Sequence, residues 1–304
     1  MRRYIVFDIG GSSVKHAIMT EEGDFITKGS YKSERNDFDL FKAKMIAEIE
    51  KGKRDYRIDG VAISAPGGVD SDTGFIGGTS ALPCIHGHNF KKIFGEDLEL
   101  KLELENDANC AALGEVWKGA AKDNEDVLFV VCGTGIGGAI IKNKKIHKGR
   151  NLHGGEFGYF ILECEKNGVN STFKIWSDLG STGSLIKEVA KVKGVLESDI
   201  DGKKIFQLAE SGDEDCRKAI DNFYFNNALG IFNLQYVYDP EKIVIGGAIS
   251  SREDFIDRLN EKLDIIMNNI KVAKIRPKVQ KCKFENDANL LGALFNYLQR
   301  NNKI

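Results

Sequence analysis

The chain has 304 residues, 42% of them hydrophobic and 29% charged, with a net charge of −2. That composition allows a real core in one large domain or two ordinary ones, and its charge gives nothing to attract nucleic acid or a membrane surface. No apolar run reaches the ~18 residues of a membrane span, and the start Met1-Arg2-Arg3-Tyr4-Ile5-Val6-Phe7-Asp8 meets an acid too soon for a signal peptide.

Residues 4–9 read as a strand, and 14–19 as its hairpin partner after Gly10-Gly11. Phe38, Phe41, Met45, Ile46 and Ile49 fall near helical spacing, which predicts an amphipathic helix over 38–51. Gly60 to Ala65 is a buried-strand pattern that stops at Pro66-Gly67-Gly68. Leu98 to Leu104 alternates Leu with Glu and Lys, as a half-exposed strand does, and runs into Glu105-Asn106-Asp107. A helix is expected from Ala108 to Lys118. Strands at 127–131 and 136–141 flank a second glycine-rich loop, and 215–238 reads as a long helix with Phe223, Leu229, Ile231 and Phe232 inward. Ile243-Val244-Ile245 is another buried strand, ending at Gly246-Gly247-Ala248, and a last helix covers 288–299. This alternation is the mark of the α/β class. The strand–glycine turn–strand unit occurs near residue 5 and again near 128, which predicts two related α/β halves with a cleft between them.

Asp8-Ile9-Gly10-Gly11-Ser12 could be any tight hairpin. A carboxylate at a strand end beside glycines and a hydroxyl, with Lys15 downstream, can also hold a Mg²⁺–phosphate assembly through water. It is not a Walker loop. Gly133-Thr134-Gly135-Ile136-Gly137-Gly138 matches G-x-G-x-x-G, but the chain continues as a strand where a dinucleotide loop opens a helix. Nicotinamide binding is therefore set aside. Two glycine loops can hold the phosphates of one nucleotide through backbone N–H groups, and an acid between them can act on a second substrate. That combination predicts a kinase. Glu105-Asn106-Asp107-Ala108-Asn109 lies between the loops and recurs as Glu285-Asn286-Asp287-Ala288-Asn289. Either copy could cap a helix; the second is read so, and the first as catalytic. His86 and His88 read as a solvated loop rather than a metal pair. Six scattered cysteines without a C-x-x-C pair fit a reducing cytoplasm, and Cys132 reads as a small buried strand residue.

In these motifs the chain resembles the ROK family (repressors, uncharacterised reading frames and sugar kinases), within the actin–hexokinase-like ATPase superfamily. Five segments carry the resemblance in order: Asp8 to Ser12, Leu104 to Ala112, Cys132 to Ala139, His153-Gly154-Gly155-Glu156-Phe157-Gly158, and Ile245 to Ser250. The resemblance implies two ribonuclease H-like domains, over 1–115 and 116–287, with the closing helix 288–304 packed back on the first. It implies Asp107 as the general base that takes the proton from a sugar hydroxyl, a role worth about 10²–10⁴ in rate. Asn106 and Glu156, with Gly67, His153 and Tyr159, would contact the sugar. Asp8, Gly10, Gly11, Ser12, Lys15, Gly133, Thr134, Gly135, Gly137, Gly246 and Gly247 would hold ATP, with Asp8 reaching Mg²⁺ through water and phosphate. The implied reaction phosphorylates the 6-hydroxyl of glucose, N-acetylmannosamine or a β-glucoside, in a cytoplasmic homodimer with no nucleic-acid or membrane partner.

Two positions depart from the family pattern. Tyr159 stands where a zinc-ligating His is usual, and only Cys164 lies in 160–180, so no structural zinc is expected. Phe157, Tyr159, Phe160, Phe173 and Trp176 would then order this segment by packing, though Tyr159 could instead bond the sugar. Ala81-Leu82-Pro83 replaces the usual Asn-Leu-Pro, which puts the sugar contact there in doubt. The alternatives are a non-catalytic sugar sensor, which intact Asp107 and both loops oppose, and a transcriptional regulator lacking its DNA-binding domain. A first phosphate motif at Asp8 leaves no room for a helix-turn-helix before it.

Overall fold

The computed structural model describes residues 1–96, 98–284 and 287–303, with Glu96 by its backbone alone. The chain divides into two units: residues 1–123, 144–154 and 286–304 form the first, and 124–143 with 155–285 the second. The division falls after residue 123, not at 115, because the turn after the central helix bonds back onto it through Gly119 and Ala121 N–H to Glu115 O.

In the first unit, β1 (Arg3–Ile9), β2 (Ser13–Thr20), β3 (Phe25–Lys32), β4 (Val61–Ala65) and β8 (Leu102–Asn106) form one sheet in the order β3-β2-β1-β4-β8. β1 runs antiparallel to β2 and parallel to β4, and β4 parallel to β8. A smaller sheet holds β5 (Gly68–Asp70), β6 (Phe75–Gly77) and β7 (His88–Asn89). The expected strand at 98–104 starts late, because Glu99 sits at φ +54° and turns the chain before β8 begins.

The period-two alternation of β1 decides what each face meets. Ile5, Phe7 and Ile9 share a core with Phe41, Met45 and Ile49 of α1 (Phe38–Tyr56). Tyr4 and Asp8 point the other way, and Tyr4 packs on Tyr297 of the C-terminal helix (Ala288–Arg300) with ring centroids 5.0 Å apart. That helix lies against β1, β4 and β8, and against α2 (Asp107–Lys118). The two helices meet backbone to backbone. A Cβ on Gly114 would stand 2.5 Å from Ala288 O, and one on Gly292 would fall well inside contact with Cys110 O. The two-residue strand β11 (Lys145–Ile146) also lies on α2.

The second unit repeats the strand plan. β9 (Val127–Cys132) pairs antiparallel with β10 (Ile136–Lys142) and parallel with β14 (Lys242–Gly246), which carries β15 (Val279–Lys281). A hairpin of β12 (Ile161–Glu165) and β13 (Thr172–Ile175) follows the loop after β10. The helices are α3 (Trp176–Gly180), α4 (Thr182–Lys193), α5 (Gly202–Glu210), α6 (Glu214–Tyr238) and α7 (Phe255–Asn269). Trp176, Leu185, Ile205, Phe223, Ile231, Leu259 and Leu263 share its core with Leu128, Val130 and Ile243. No helix among the described residues is long and apolar enough to cross a membrane.

Gly292→Ala should lower stability by about 2 kcal/mol or more, since the new methyl can be placed only by parting the two helices. A urea unfolding midpoint that does not move would show that the contact can relax.

Candidate active site

Parallel register sets Asp8, Ser64 and Glu105 side by side at the carboxyl ends of β1, β4 and β8. That is the end of an open α/β sheet where ligands bind. Asp8 is buried. Its Oδ1 accepts from Ser64 Oγ at 3.0 Å and from Asn289 Nδ2 at 2.9 Å. Its Oδ2 lies 3.8 Å from Lys15 Nζ, which β-pairing places opposite it. The turn between β1 and β2 is closed by Gly10 N–H to Ser13 O at 3.0 Å. Ser33, just beyond β3, straps it: Oγ donates to Gly10 O at 2.6 Å and N–H to Ser12 O at 3.1 Å. The Ser12 side chain is exposed. A Cβ on Gly11 would come within 2.7 Å of Ala81 Cβ, so glycine here answers packing against the Ala81 loop.

Asn106 caps α2, its Oδ1 accepting from Ala108 N–H at 2.9 Å and Asn109 N–H at 3.3 Å. Its Nδ2 donates to Gly67 O at 3.1 Å, and the Asn106 side chain also bonds the Asp107 carboxylate. Gly67 holds φ +101° and packs on His86. The expected solvated loop at His86 and His88 is not found. His86 Nδ1 lies 3.0 Å from Gly77 O and therefore carries the proton, while Nε2 accepts from Ser80 Oγ at 2.8 Å. His88 stacks on Phe38 at 3.6 Å. The tautomer follows from these partners.

Asp107 opens α2 and is half-buried. Burial pushes its carboxyl up to about 6, against the Ala108 N–H bond that favours the ionised form, and the charge of Asp8 adds to the rise. Glu105 has the opposite surroundings. It is buried, and Oε2 accepts from Lys148 Nζ at 2.6 Å and Ser71 Oγ at 2.9 Å. Oε1 accepts from Asn106 N–H at 2.8 Å and Asn109 Nδ2 at 2.9 Å. Lys148 thus ties segment 144–154 to the root of α2. His153 stands exposed on that segment, its Nδ1 2.6 Å from Asn151 O.

The expected helix cap at Asp287 is not made. Asp287 stands at the cap position without a side-chain cap bond and pairs with Lys28 at 2.6 Å instead. Both partners are exposed, and such pairs contribute little. Of that second copy, Glu285 and Asn286 lie outside the described residues.

In the second unit, Gly133 O accepts from Thr182 N–H at 2.8 Å and Thr182 Oγ1 at 2.7 Å, docking the glycine loop on the start of α4. Ser181 caps α4 by accepting from Ser184 N–H at 2.9 Å. The glycines of this loop and of the turn after β14 divide into two kinds. A Cβ on Gly135 would meet nothing closer than 3.6 Å, and one on Gly137 nothing within 4 Å. Thr134 and Gly135 are exposed. By contrast, a Cβ on Gly246 would lie 2.6 Å from the Phe129 ring, and one on Gly247 would strike Cys132 O. Packing between β9 and β14 therefore accounts for Gly246 and Gly247 without a ligand.

Glu156 and Tyr159 are exposed at the two ends of one 3-10 turn whose Phe157 is buried. Of the five rings expected to order this segment, Phe157, Phe160 and Trp176 do so: Phe160 contacts both others, with centroids 6.1 and 6.5 Å apart. Trp176 Nε1 donates to Asn227 Oδ1 at 3.1 Å. Tyr159 and Phe173 are 69% and 57% exposed and pack nothing of the kind. Among the described residues no group of three or more His, Cys, Asp and Glu is placed to hold a metal ion.

Sequence reasoning passed over Ser33, Ser64, Lys148, Thr182 and Asn289. Only Ser181-Thr182-Gly183-Ser184 carried a local signal, that of a helix cap before an apolar run. Lys148→Met should destabilise the fold by about 3–5 kcal/mol in urea unfolding at neutral pH, because it strands the buried Glu105 carboxylate. Adding Glu105→Gln should recover part of that loss, and no recovery would mean that the pair's charges do not set the cost.

Residues 4–300 match the model of the ROK family. A β-glucoside kinase from Listeria monocytogenes is 32% identical over 298 residues, 98% of this chain and 98% of its own. A glucokinase from Halalkalibacterium halodurans is 30% identical over 281 residues, 83% of this chain and 82% of its own. A ROK family protein from Streptococcus pneumoniae, solved in complex with sucrose, superposes with a TM-score of 0.90 at 36% identity, over 99% of this chain and 100% of that one. The fold is that of the actin–hexokinase-like ATPases, and the chain belongs to the ROK family.

Proposed function

We propose that the protein is an ATP-dependent sugar kinase that phosphorylates the 6-hydroxyl of a hexose unit. Glucose, N-acetylmannosamine and β-glucosides are the candidate acceptors. β-Glucosides come first among them, because a β-glucoside kinase matches this chain almost end to end at 32% identity. Asp107 carries the reading. A sugar hydroxyl is a poor nucleophile, and a general base works best with a pKa near the operating pH. Burial has moved Asp107 to about 6. It accepts the hydroxyl proton as the sugar oxygen bonds to the γ-phosphorus and the bond to ADP breaks.

The rest of the catalysis is positioning and charge neutralisation. The Gly133 to Gly137 loop offers backbone N–H groups to phosphate, and the open space at Gly135 and Gly137 supports that role. Among the described residues Asp8 Oδ2 has no hydrogen-bond partner, and a hard oxygen so placed suits Mg²⁺ held through water. When bound, Mg²⁺ supplies charge neutralisation on the phosphates. Asn106, Gly67, His153, Glu156 and Tyr159 are assigned to the sugar side.

Asp107→Ala should abolish phosphorylation of every sugar in a coupled ADP-release assay while ATP still binds. Measurable turnover in a folded Asp107→Ala protein would remove Asp107 as the base. In the parent enzyme kcat/KM should fall about tenfold per unit below pH ~6, as the base becomes protonated.

The same carboxyl should cost stability. Its folded pKa of about 6 lies above the ordinary 3.8, so the folded state holds the proton more tightly. The cost is absent below pH ~4, grows as pH rises through ~6 and is then constant. Asp107→Asn should therefore be more stable than the parent at pH 8, by on the order of 2 kcal/mol, and no more stable at pH 4. Equal urea midpoints at both pH values would contradict the burial argument.

Gly135→Val and Gly137→Val should raise KM for ATP with little change in thermal stability, since the protein itself leaves room for the side chain. Unchanged ATP affinity in both would exclude this loop as the phosphate cradle.

A further inference from the structure

Asn289 closes the second Glu-Asn-Asp-Ala-Asn copy, and its side chain reaches a carboxylate 281 positions away in sequence. Asp8 Oδ1 takes a hydrogen bond from Asn289 Nδ2 at 2.9 Å and a second from Ser64 Oγ at 3.0 Å. The terminal torsion of an Asp is soft and nearly two-fold, so an unrestrained carboxylate exchanges its oxygens easily. Two donors on one oxygen remove that freedom. Oδ2 is left facing the side of Lys15, whose Nζ at 3.8 Å is too far for a hydrogen bond.

The donors' chemistry matters as much as their placement. An amide and a hydroxyl orient the carboxylate without neutralising it, whereas a cation on Oδ1 would compete with a metal for the same charge. The amide is also delivered by a helix seated closely on α2. Gly114 and Gly292 let the C-terminal helix touch α2 backbone to backbone. Its neighbour Asp287 is held apart on Lys28 and does not share the task.

We infer that Asn289 is a positioning residue for Asp8, fixing its carboxylate so that Oδ2 is presented to a magnesium-bound phosphate. The identity of that phosphate as part of a nucleotide rests on the kinase reading above. The second motif copy is then part of the active site through its last residue, while the first acts through its third.

The test is calorimetric binding of ADP with and without Mg²⁺ to the parent, Asn289→Leu, Asn289→Ala and Asp8→Asn. Losing one hydrogen bond to a charged group should weaken Mg·ADP binding about tenfold or more in both Asn289 variants. Metal-free ADP should bind as in the parent, and Asp8→Asn should show the same split. In turnover kcat should fall and KM for the sugar should hold. Asn289→Ala serves if the larger leucine prevents folding. A folded Asn289 variant with parental Mg·ADP affinity overturns the inference, and so does an equal loss with and without metal. If the split appears but no sugar is phosphorylated by the parent, the proposed activity fails while the role of Asn289 stands.

Discussion

The contact between α2 and the C-terminal helix is the constraint from which the first unit's chemistry follows. Helices normally pack 8–10 Å apart through side chains. Here Gly114 and Gly292 bring backbone onto backbone. α2 begins at Asp107, and the C-terminal helix carries Asn289 in its first turn. Fixing one helix on the other therefore fixes Asp107 and the residue that bonds Asp8. The alternation of β1 completes the relation, because the face that sends Tyr4 onto Tyr297 also sends Asp8 toward Asn289.

Three acids share this region, and their surroundings give each a different character. Glu105 is buried against Lys148 and three further hydrogen-bond donors, so its charge is fully compensated. That makes it a structural anion, unable to bind a metal without breaking the pair. Asp8 is oriented by neutral donors on one oxygen and keeps the other. Among the described residues no cation pairs with Asp107, and burial raises its carboxyl to about 6. Separated environments of this kind are how neighbouring carboxyls come to do different work. The price of it falls on stability, and it falls at Asp107.

Much of the architecture was legible in the sequence. The two glycine loops sit between paired strands, the class is α/β, and α6 follows its predicted span closely. The helix α7 was legible and passed over: Phe255, Leu259, Leu263 and Ile266 lie at helical spacing and are all buried. The strand expected from Leu98 illustrates the limit of periodicity, since one residue at positive φ is invisible to a hydrophobic pattern. In the site, Asp107 and Asn106 could be named because they fall in one short motif. Ser64, Lys148 and Asn289 could not, because each acts through a partner far along the chain. A single Ser or Lys carries no local mark of such a partner.

The glycines show why a motif does not by itself reveal what its residues do. Gly133 to Gly138 and Gly246-Gly247 both read as phosphate turns. In the fold, Gly246 exists for the Phe129 ring and Gly247 for the Cys132 carbonyl, so a larger residue is excluded at both by the protein alone. At Gly135 and Gly137 the protein excludes nothing. A glycine that packing does not require weakens its strand through lost side-chain contacts and added unfolded-state entropy. Such a cost is compatible with close approach to the backbone from outside the chain, and Gly133, Gly135 and Gly137 all leave room for it.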